Sequence, residues 1–394
     1  MKAHSGRLAC ACARSFDPLT VGRTRASGAP FARRADTLAF LRILGVPSRY
    51  ILAGTLASLS SWGKYMAAGF DAVPGLRIGH AQDEAALTGC TVFLCPQGAV
   101  AACEVRGGAV GERELESLRP GHIVQHIHGL VFAGGSAFGL DAASGVMQWC
   151  EERNIGFDTG VVRVPIIPAV ILFDLKIGNP RRRPDALMGY AAADTAARDQ
   201  NPVVAEGNVG AGTGATVGKL FGIKCAMKGG IGCWTEEVAG SGGTGEPVRV
   251  SVLAAVNAFG DVRDPENGHI IAGTRVASDS GEFADTTAAM RRGHVREAFS
   301  DPSTVLVAVA TNAALSRLEA QRLAAMAATG VARVISPVHT SFDGDVVFAL
   351  SLGKAAADPH ALGAVASDAV ARAIVRGVTE AQSAGNLPGL RGWA

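Results

Sequence analysis

From residue 73 onward, short runs of aliphatic and β-branched residues alternate with glycine-punctuated turns and with stretches of helical spacing. Segments 91–94 and 129–133 read as strands. Within 139–153, Leu140, Ala143, Val146, Met147 and Cys150 recur at helical spacing, which predicts an amphipathic helix. Segment 161–175 is apolar but carries Pro165 and Pro168, so an irregular buried segment is expected there rather than a helix. Ala-rich 184–198 reads as a helix, and 248–258 as a long buried strand. Segment 304–311 is apolar at both parities, so both of its faces must be covered. Ser316 and Glu319 form a capping box, which predicts a helix running to about Thr329 and closed by Gly330. Further strands are expected at 334–338 and 346–351, and a second helix over 361–383. Strands and helices in runs, with no internal repeats, predict an α/β fold of stacked layers with helices outside a sheet core.

Composition narrows this picture. The chain has 394 residues, 48% hydrophobic and 18% charged, enough for a large core in one or two domains. Its net charge of +2 argues against nucleic acid as the main partner. No apolar run approaches the ~18 residues of a membrane span. The eight cysteines, at 10, 12, 90, 95, 103, 150, 225 and 233, form no C-x-x-C pair and no zinc-finger spacing. They read as reduced thiols, which suits a cytoplasmic protein without metal or cofactor. Residues 1–65 differ from the rest. They hold eight arginines against the two acids Asp17 and Asp36. A transit peptide, a secretory signal and a start codon placed too early compete here. The favoured expectation is that translation begins at Met66 and that 66–394 is one domain.

Four segments and two single residues could carry chemistry. Asp301-Pro302-Ser303-Thr304 sets a hydroxyl residue at the entrance to the apolar run 305–310. An N-terminal Thr can use its own amine as base, but the amine exists only after the bond before it is cut. Phe342-Asp343-Gly344-Asp345 places two acids on one side of an extended segment ahead of a buried strand. Buried carboxylates need partners. Gly134-Gly135-Ser136-Ala137-Phe138 misses the nucleophile-elbow pattern at Phe138, yet it joins a strand to a helix and offers N–H groups to an anion. Gly207–Lys219 is glycine-rich but breaks the phosphate-loop pattern, since Thr213 and Leu220 stand where Gly and Ser or Thr belong. Lys228 and Asn257 are polar groups beside apolar runs, and Asn257 has the chemistry of an oxyanion donor. Each segment alone reads equally as a turn, a loop or a satisfied core residue.

Together and in order, these segments resemble the DmpA-type aminopeptidases. That family includes the L-aminopeptidase/D-amidase/D-esterases, the β-peptidyl aminopeptidases and the nylon-oligomer hydrolases. The resemblance runs from Val73 to about Gly389. It rests on Val73-Pro-Gly-Leu-Arg-Ile-Gly-His80, Val105-Arg-Gly-Gly108, Ala133-Gly-Gly-Ser-Ala-Phe-Gly-Leu140, Val164-Pro-Ile-Ile-Pro168 and Phe173-Asp-Leu175. It continues through Val209-Gly-Ala-Gly-Thr-Gly-Ala215, Lys228-Gly-Gly230, Ala255-Val-Asn-Ala258, Ala310-Thr-Asn-Ala313 and the segment from His339-Thr340 to Asp343-Gly-Asp345.

The resemblance implies a four-layer α/β/β/α sandwich, like that of N-terminal-nucleophile hydrolases and of ornithine acetyltransferases but with its own connectivity. It implies a precursor cut between Ser303 and Thr304, giving a first chain ending at 303 and a second chain 304–394. It further implies Thr304 as nucleophile, Asp343 and Asp345 as the acids that orient it, and Lys228 and Asn257 as site residues. Gly135, Ser136 and Phe138 fall in the substrate and oxyanion region. The expected substrate is a small peptide or amide, and the expected assembly is a homo-oligomer, a tetramer of two-chain units. An amine acyltransferase and a non-catalytic small-molecule binder are the alternatives. Two departures stand out: Ser303 where many members have Asn, and Phe138 where many have Tyr.

Overall fold

The computed structural model describes residues 69–70, 73–198, 204–238, 247–295 and 302–392. The expectation for residues 1–65 lies outside the described residues.

The principal elements are β1 (Arg77–Asp83), β2 (Thr88–Val105), β3 (Ile127–Ala133), α1 (Ala142–Glu151), β4 (Ala169–Ile171), α2 (Ala186–Arg198), β5 (Ile231–Val238), β6 (Val248–Asn257), β7 (Thr304–Ala313), α3 (Arg317–Val334), β8 (Val346–Ala355) and α4 (Pro359–Thr379). Strand β2 serves two sheets. Its first half pairs antiparallel with β1 and β3, from Cys90 opposite Ala133 to Leu94 opposite Gly129. Its second half pairs antiparallel with β8, from Val100 opposite Ser351 to Val105 opposite Val346. The register with β3 slips between Leu94 and Ala99, and Gly98 (φ 86°) supplies the left-handed backbone within this bend. The second sheet then runs β2–β8–β7–β6–β5, with β7 and β8 parallel and the other neighbours antiparallel.

Alternation along β7 builds the layers. Leu306, Ala308 and Ala310 point between the sheets, among Phe93, Phe132 and Phe348. Val305, Val307 and Val309 point the other way, onto α3 and α4 through Leu323, Ala324 and Ile374. Helices α1 and α2 cover the outer face of the first sheet, where Val146 and Ala192 meet Val92 and Val131. The order is therefore α/β/β/α. Phe132 sits between Phe93 and Phe348 at ring-centroid distances of 5.0 and 5.8 Å, in the edge and tilted geometries that aromatic quadrupoles favour. Among the described residues no helix is long and apolar enough to cross a membrane.

Three sequence expectations shift. The capping box forms, but α3 does not close at Gly330; it continues to Val334. A Cβ at Gly330 would lie 2.2 Å from the Ser367 carbonyl oxygen, so glycine there permits close packing on α4 rather than ending the helix. Only Ile335–Ser336 of the expected strand 334–338 is extended, and it pairs with Asp261–Val262. Segment 161–175 is half as expected: β4 is buried, whereas Val161 and Val162 are exposed on a hairpin of Phe157–Asp158 with Arg163–Val164.

The inter-sheet core gives a stability test. Phe348→Ala should cost about 3–5 kcal/mol in denaturant unfolding, because the ring is wholly buried between two sheets that have little room to collapse. Phe157→Ala, on the exposed hairpin, should change stability by about 0.5 kcal/mol or less.

Candidate active site

Strand register gathers the site. Thr304, the first residue of β7, stands directly opposite Asn257, the last residue of β6. Strand β8 runs parallel to β7, so the segment that leads into it, Asp343-Gly344-Asp345, arrives at the same end. A single bridge pairs Ser303 with Asp343. Ser303, Thr304, Asn257, Asp343 and Asp345 are thereby brought together, each 3% exposed or less.

Two short contacts converge on the Ser303 carbonyl. Thr304 Oγ1 donates to the Ser303 carbonyl oxygen at 2.6 Å, and the Gly344 amide donates to the same oxygen at 2.8 Å. The nucleophile candidate thus lies against the carbonyl it would attack, and a backbone N–H already points at the oxygen that would gain charge. Gly344 has to be glycine for this geometry, since a Cβ there would come within 2.8 Å of Thr304 Oγ1.

The acids hold the backbone around that bond. Asp345 accepts from the Val305 amide at 2.7 Å through one oxygen. Its other oxygen meets His339 Nδ1 at 2.8 Å and the His339 amide at 3.3 Å. Asp343 accepts from the Thr340 amide at 2.8 Å. His339 adopts φ 56°, an uncommon conformation for a side-chain-bearing residue, and the Asp345 contacts hold it there.

Asn257 is fixed from both ends. Its Oδ1 accepts from the Thr216 amide (3.0 Å), Thr216 Oγ1 (3.3 Å) and Lys219 Nζ (2.8 Å), and its Nδ2 donates to the Phe173 carbonyl at 3.2 Å. Lys219 also donates to the Asn257 carbonyl (3.1 Å) and to Ser303 Oγ (3.3 Å). Lys219, His339, Thr216 and Gly344 are site residues to which the sequence assigns no role. In the sequence, Lys219 is the last residue of a glycine-rich segment that breaks the phosphate-loop pattern. The signal that could have found it is the chemistry itself, since a buried amide and a buried backbone turn need donors.

Lys228 occupies a different place. Its Nζ donates to the Thr213 and Ala215 carbonyls at 3.0 and 2.6 Å, and no hydrogen bond joins it to Thr304 or Asn257. It anchors the glycine-rich segment whose next residue, Thr216, holds Asn257. Complete burial pushes its ammonium down to about 7, against the raising effect of Asp174. Burial raises the Asp174 carboxyl, while hydrogen bonds from the Gly135 amide (2.7 Å) and Thr88 Oγ1 (2.7 Å) oppose this. So the Gly135 N–H serves Asp174, and the Ser136 N–H serves the Leu172 carbonyl at 3.1 Å. Phe138 is 60% exposed, with the Arg183 guanidinium 4.0 Å from its ring centroid. A small cleft beside the cluster is lined by Asp174, Thr216, Lys219 and Pro302 among others. Among the described residues, no three His, Cys, Asp or Glu side chains group as metal ligands.

Comparison with known proteins adds a family match, sequence relatives and structural neighbours. The profile of peptidase family S58 matches residues 71–390. An uncharacterized aminopeptidase of Mycobacterium bovis is 40% identical over 352 residues, covering 81% of this chain and 96% of its own. A 6-aminohexanoate-oligomer endohydrolase of Agromyces is 30% identical over 348 residues, covering 81% and 88%. Among solved structures, a Burkholderia β-aminopeptidase superposes with a TM-score of 0.59 at 21% identity, over 82% of this chain and 92% of its own. The L-aminopeptidase D-Ala-esterase/amidase of Ochrobactrum anthropi, described as a variant of the Ntn hydrolase fold, superposes at 0.56 with 17% identity, over 78% and 85%.

The Lys228 environment gives a pH test. Folding depresses its pKa from 10.5 to about 7, so between those values the unfolded chain binds more protons than the folded one. Folding stability should therefore rise with pH across that window. Lys228→Met should flatten this slope in unfolding curves recorded from pH 7 to 10.

Proposed function

The chain belongs to peptidase family S58 and is a hydrolase of peptide or amide bonds, and from that premise we propose that it cuts itself before Thr304 and then works as an aminopeptidase or amidase through an ester on the freed Thr304. The observation that carries this reading is the pair of contacts on the Ser303 carbonyl oxygen, from Thr304 Oγ1 and from the Gly344 amide.

The steps follow from that geometry. Thr304 Oγ adds to the Ser303 carbonyl carbon, and the Gly344 N–H steadies the charge on the oxygen. The C–N bond breaks and the hydroxyl proton passes to the Thr304 nitrogen. The product is an ester between Ser303 and Thr304 Oγ. Water hydrolyses it, leaving a carboxylate on Ser303 and a free amine and hydroxyl on Thr304. In turnover the same hydroxyl attacks a substrate amide, the α-amine shuttles the proton, and water clears the ester. Asp345 holds the Val305 amide and so fixes the strand start that carries the nucleophile. Lys219 and Thr216 hold Asn257 across the ladder from it, and in turnover the substrate oxyanion is assigned to the Gly344 N–H together with Asn257. Asp343 lines the other side of the scissile segment.

Mass spectrometry of the purified protein should find a fragment 304–394 beginning at Thr304, absent from Thr304→Ala, which should also lack amide hydrolysis. A wild-type chain that stays uncut would overturn the reading. Gly344→Ala should slow cutting about tenfold or more, since its methyl group would push Thr304 Oγ1 from its position.

A further inference from the structure

The maturation ester and the turnover ester are the same chemical object. Both join an acyl group to Thr304 Oγ and both are cleared by water. In the first, the acyl group is Ser303. The surroundings of Ser303 in the uncut chain therefore outline the acyl pocket of the enzyme, an argument that rests on the self-cleavage reading above.

That pocket is closed and polar. Ser303 is 1% exposed. Its amide donates to the Phe342 carbonyl at 3.4 Å. Its carbonyl oxygen receives Thr304 Oγ1 and the Gly344 amide. Its side-chain oxygen receives Lys219 Nζ at 3.3 Å. Three groups of one residue thus have three separate protein partners: a backbone carbonyl for the nitrogen, an oxyanion donor for the carbonyl, and an ammonium for the side chain.

We propose that the acyl pocket selects small α-amino acyl groups with an oxygen acceptor on the side chain, seryl first and aspartyl next, with Lys219 as the specificity-determining residue. The substrate amine takes the place of the Ser303 amide and donates to the Phe342 carbonyl, beside Asp343. The side-chain oxygen takes the place of Ser303 Oγ on Lys219. An alanyl group lacks the acceptor. A β-alanyl group brings an ammonium to the carbon that faces Lys219, and two like charges in a water-poor site repel. Sites built to hydrogen-bond a substrate group discriminate strongly against analogues without it.

The test has two arms. In the first, the precursor is its own substrate: Ser303→Ala, Ser303→Asp and Ser303→Lys are made and the appearance of fragment 304–394 is timed. Ser303→Asp should cut within a few-fold of wild type, Ser303→Ala about tenfold more slowly, and Ser303→Lys should fail to cut. In the second arm, mature wild-type enzyme is assayed on the amides of L-serine, L-aspartate, L-alanine and β-alanine. kcat/KM for seryl amide should exceed that for alanyl amide by about 10- to 100-fold. In the cut fraction of Lys219→Met that ratio should fall toward one, and Lys219→Arg should restore part of it, a change in preference that a merely structural lysine would not produce. Equal cutting of Ser303→Ala and Ser303→Lys with wild type, or equal rates on seryl and alanyl amides, overturns the pocket assignment and leaves self-cleavage standing. A wild type that neither cuts nor hydrolyses any amide overturns both.

Discussion

The structure depends on the register that sets Asn257 opposite Thr304. Strand pairing has a side-chain period of two, so a slip by one residue would turn either strand inside out. Here a slip would send Leu306, Ala308 and Ala310 toward the helices and the valines between them into the inter-sheet core. The two apolar layers on either side of β7 thus lock the position of its first residue. The site has the precision of the core because it is the end of the core. Phe132, wedged between Phe93 and Phe348, ties the sheet that carries Thr304 to the sheet that carries Asp174 and the Gly135 turn.

Burial sets the second constraint. Six polar residues meet at these strand ends, all of them nearly closed to solvent: Lys219, Asn257, Ser303, Thr304, Asp343 and Asp345. A buried polar group without partners costs more than a hydrogen bond returns. The network meets that demand chiefly through the backbone. Asp345 takes two amides and Asp343 one, Lys219 takes a carbonyl and two side-chain oxygens, and Lys228 takes two carbonyls. Each contact fixes a loop as well as a side chain. The two lysines work in series along one segment: Lys228 pins Thr213 and Ala215, Thr216 and Lys219 then pin Asn257, and Asn257 stands across from Thr304.

Much of this was legible from the residues. The run 304–311 had to be a strand covered on both faces, and so it became the centre of the second sheet. The Ser316–Glu319 box fixed where α3 begins. Asp343 and Asp345, two apart before an apolar strand, could be placed near one another without knowing what they would hold. The end of α3 was not legible, because Gly330 carries the same letter whether it caps a helix or lets α4 approach. The exposed Val161 and Val162 misled for a related reason, since an apolar run does not say whether a hairpin lifts it off the core.

The choice between Lys219 and Lys228 marks the limit of pattern reading. Lys219 ends a glycine-rich run, Lys228 opens Lys228-Gly-Gly230, and both end up buried, so neither glycine context nor hydropathy separates them. What separates them is which carbonyls and amides lie within three ångströms or so after folding, a product of contacts far apart in sequence. Lys228 reaches back by 13 and 15 residues to its carbonyls, whereas Lys219 spans 38 residues to Asn257 and 84 to Ser303. The shorter span anchors a loop. The longer one links three chain segments at the candidate scissile bond, which is why the lysine with the less suggestive sequence context carries the more specific chemistry.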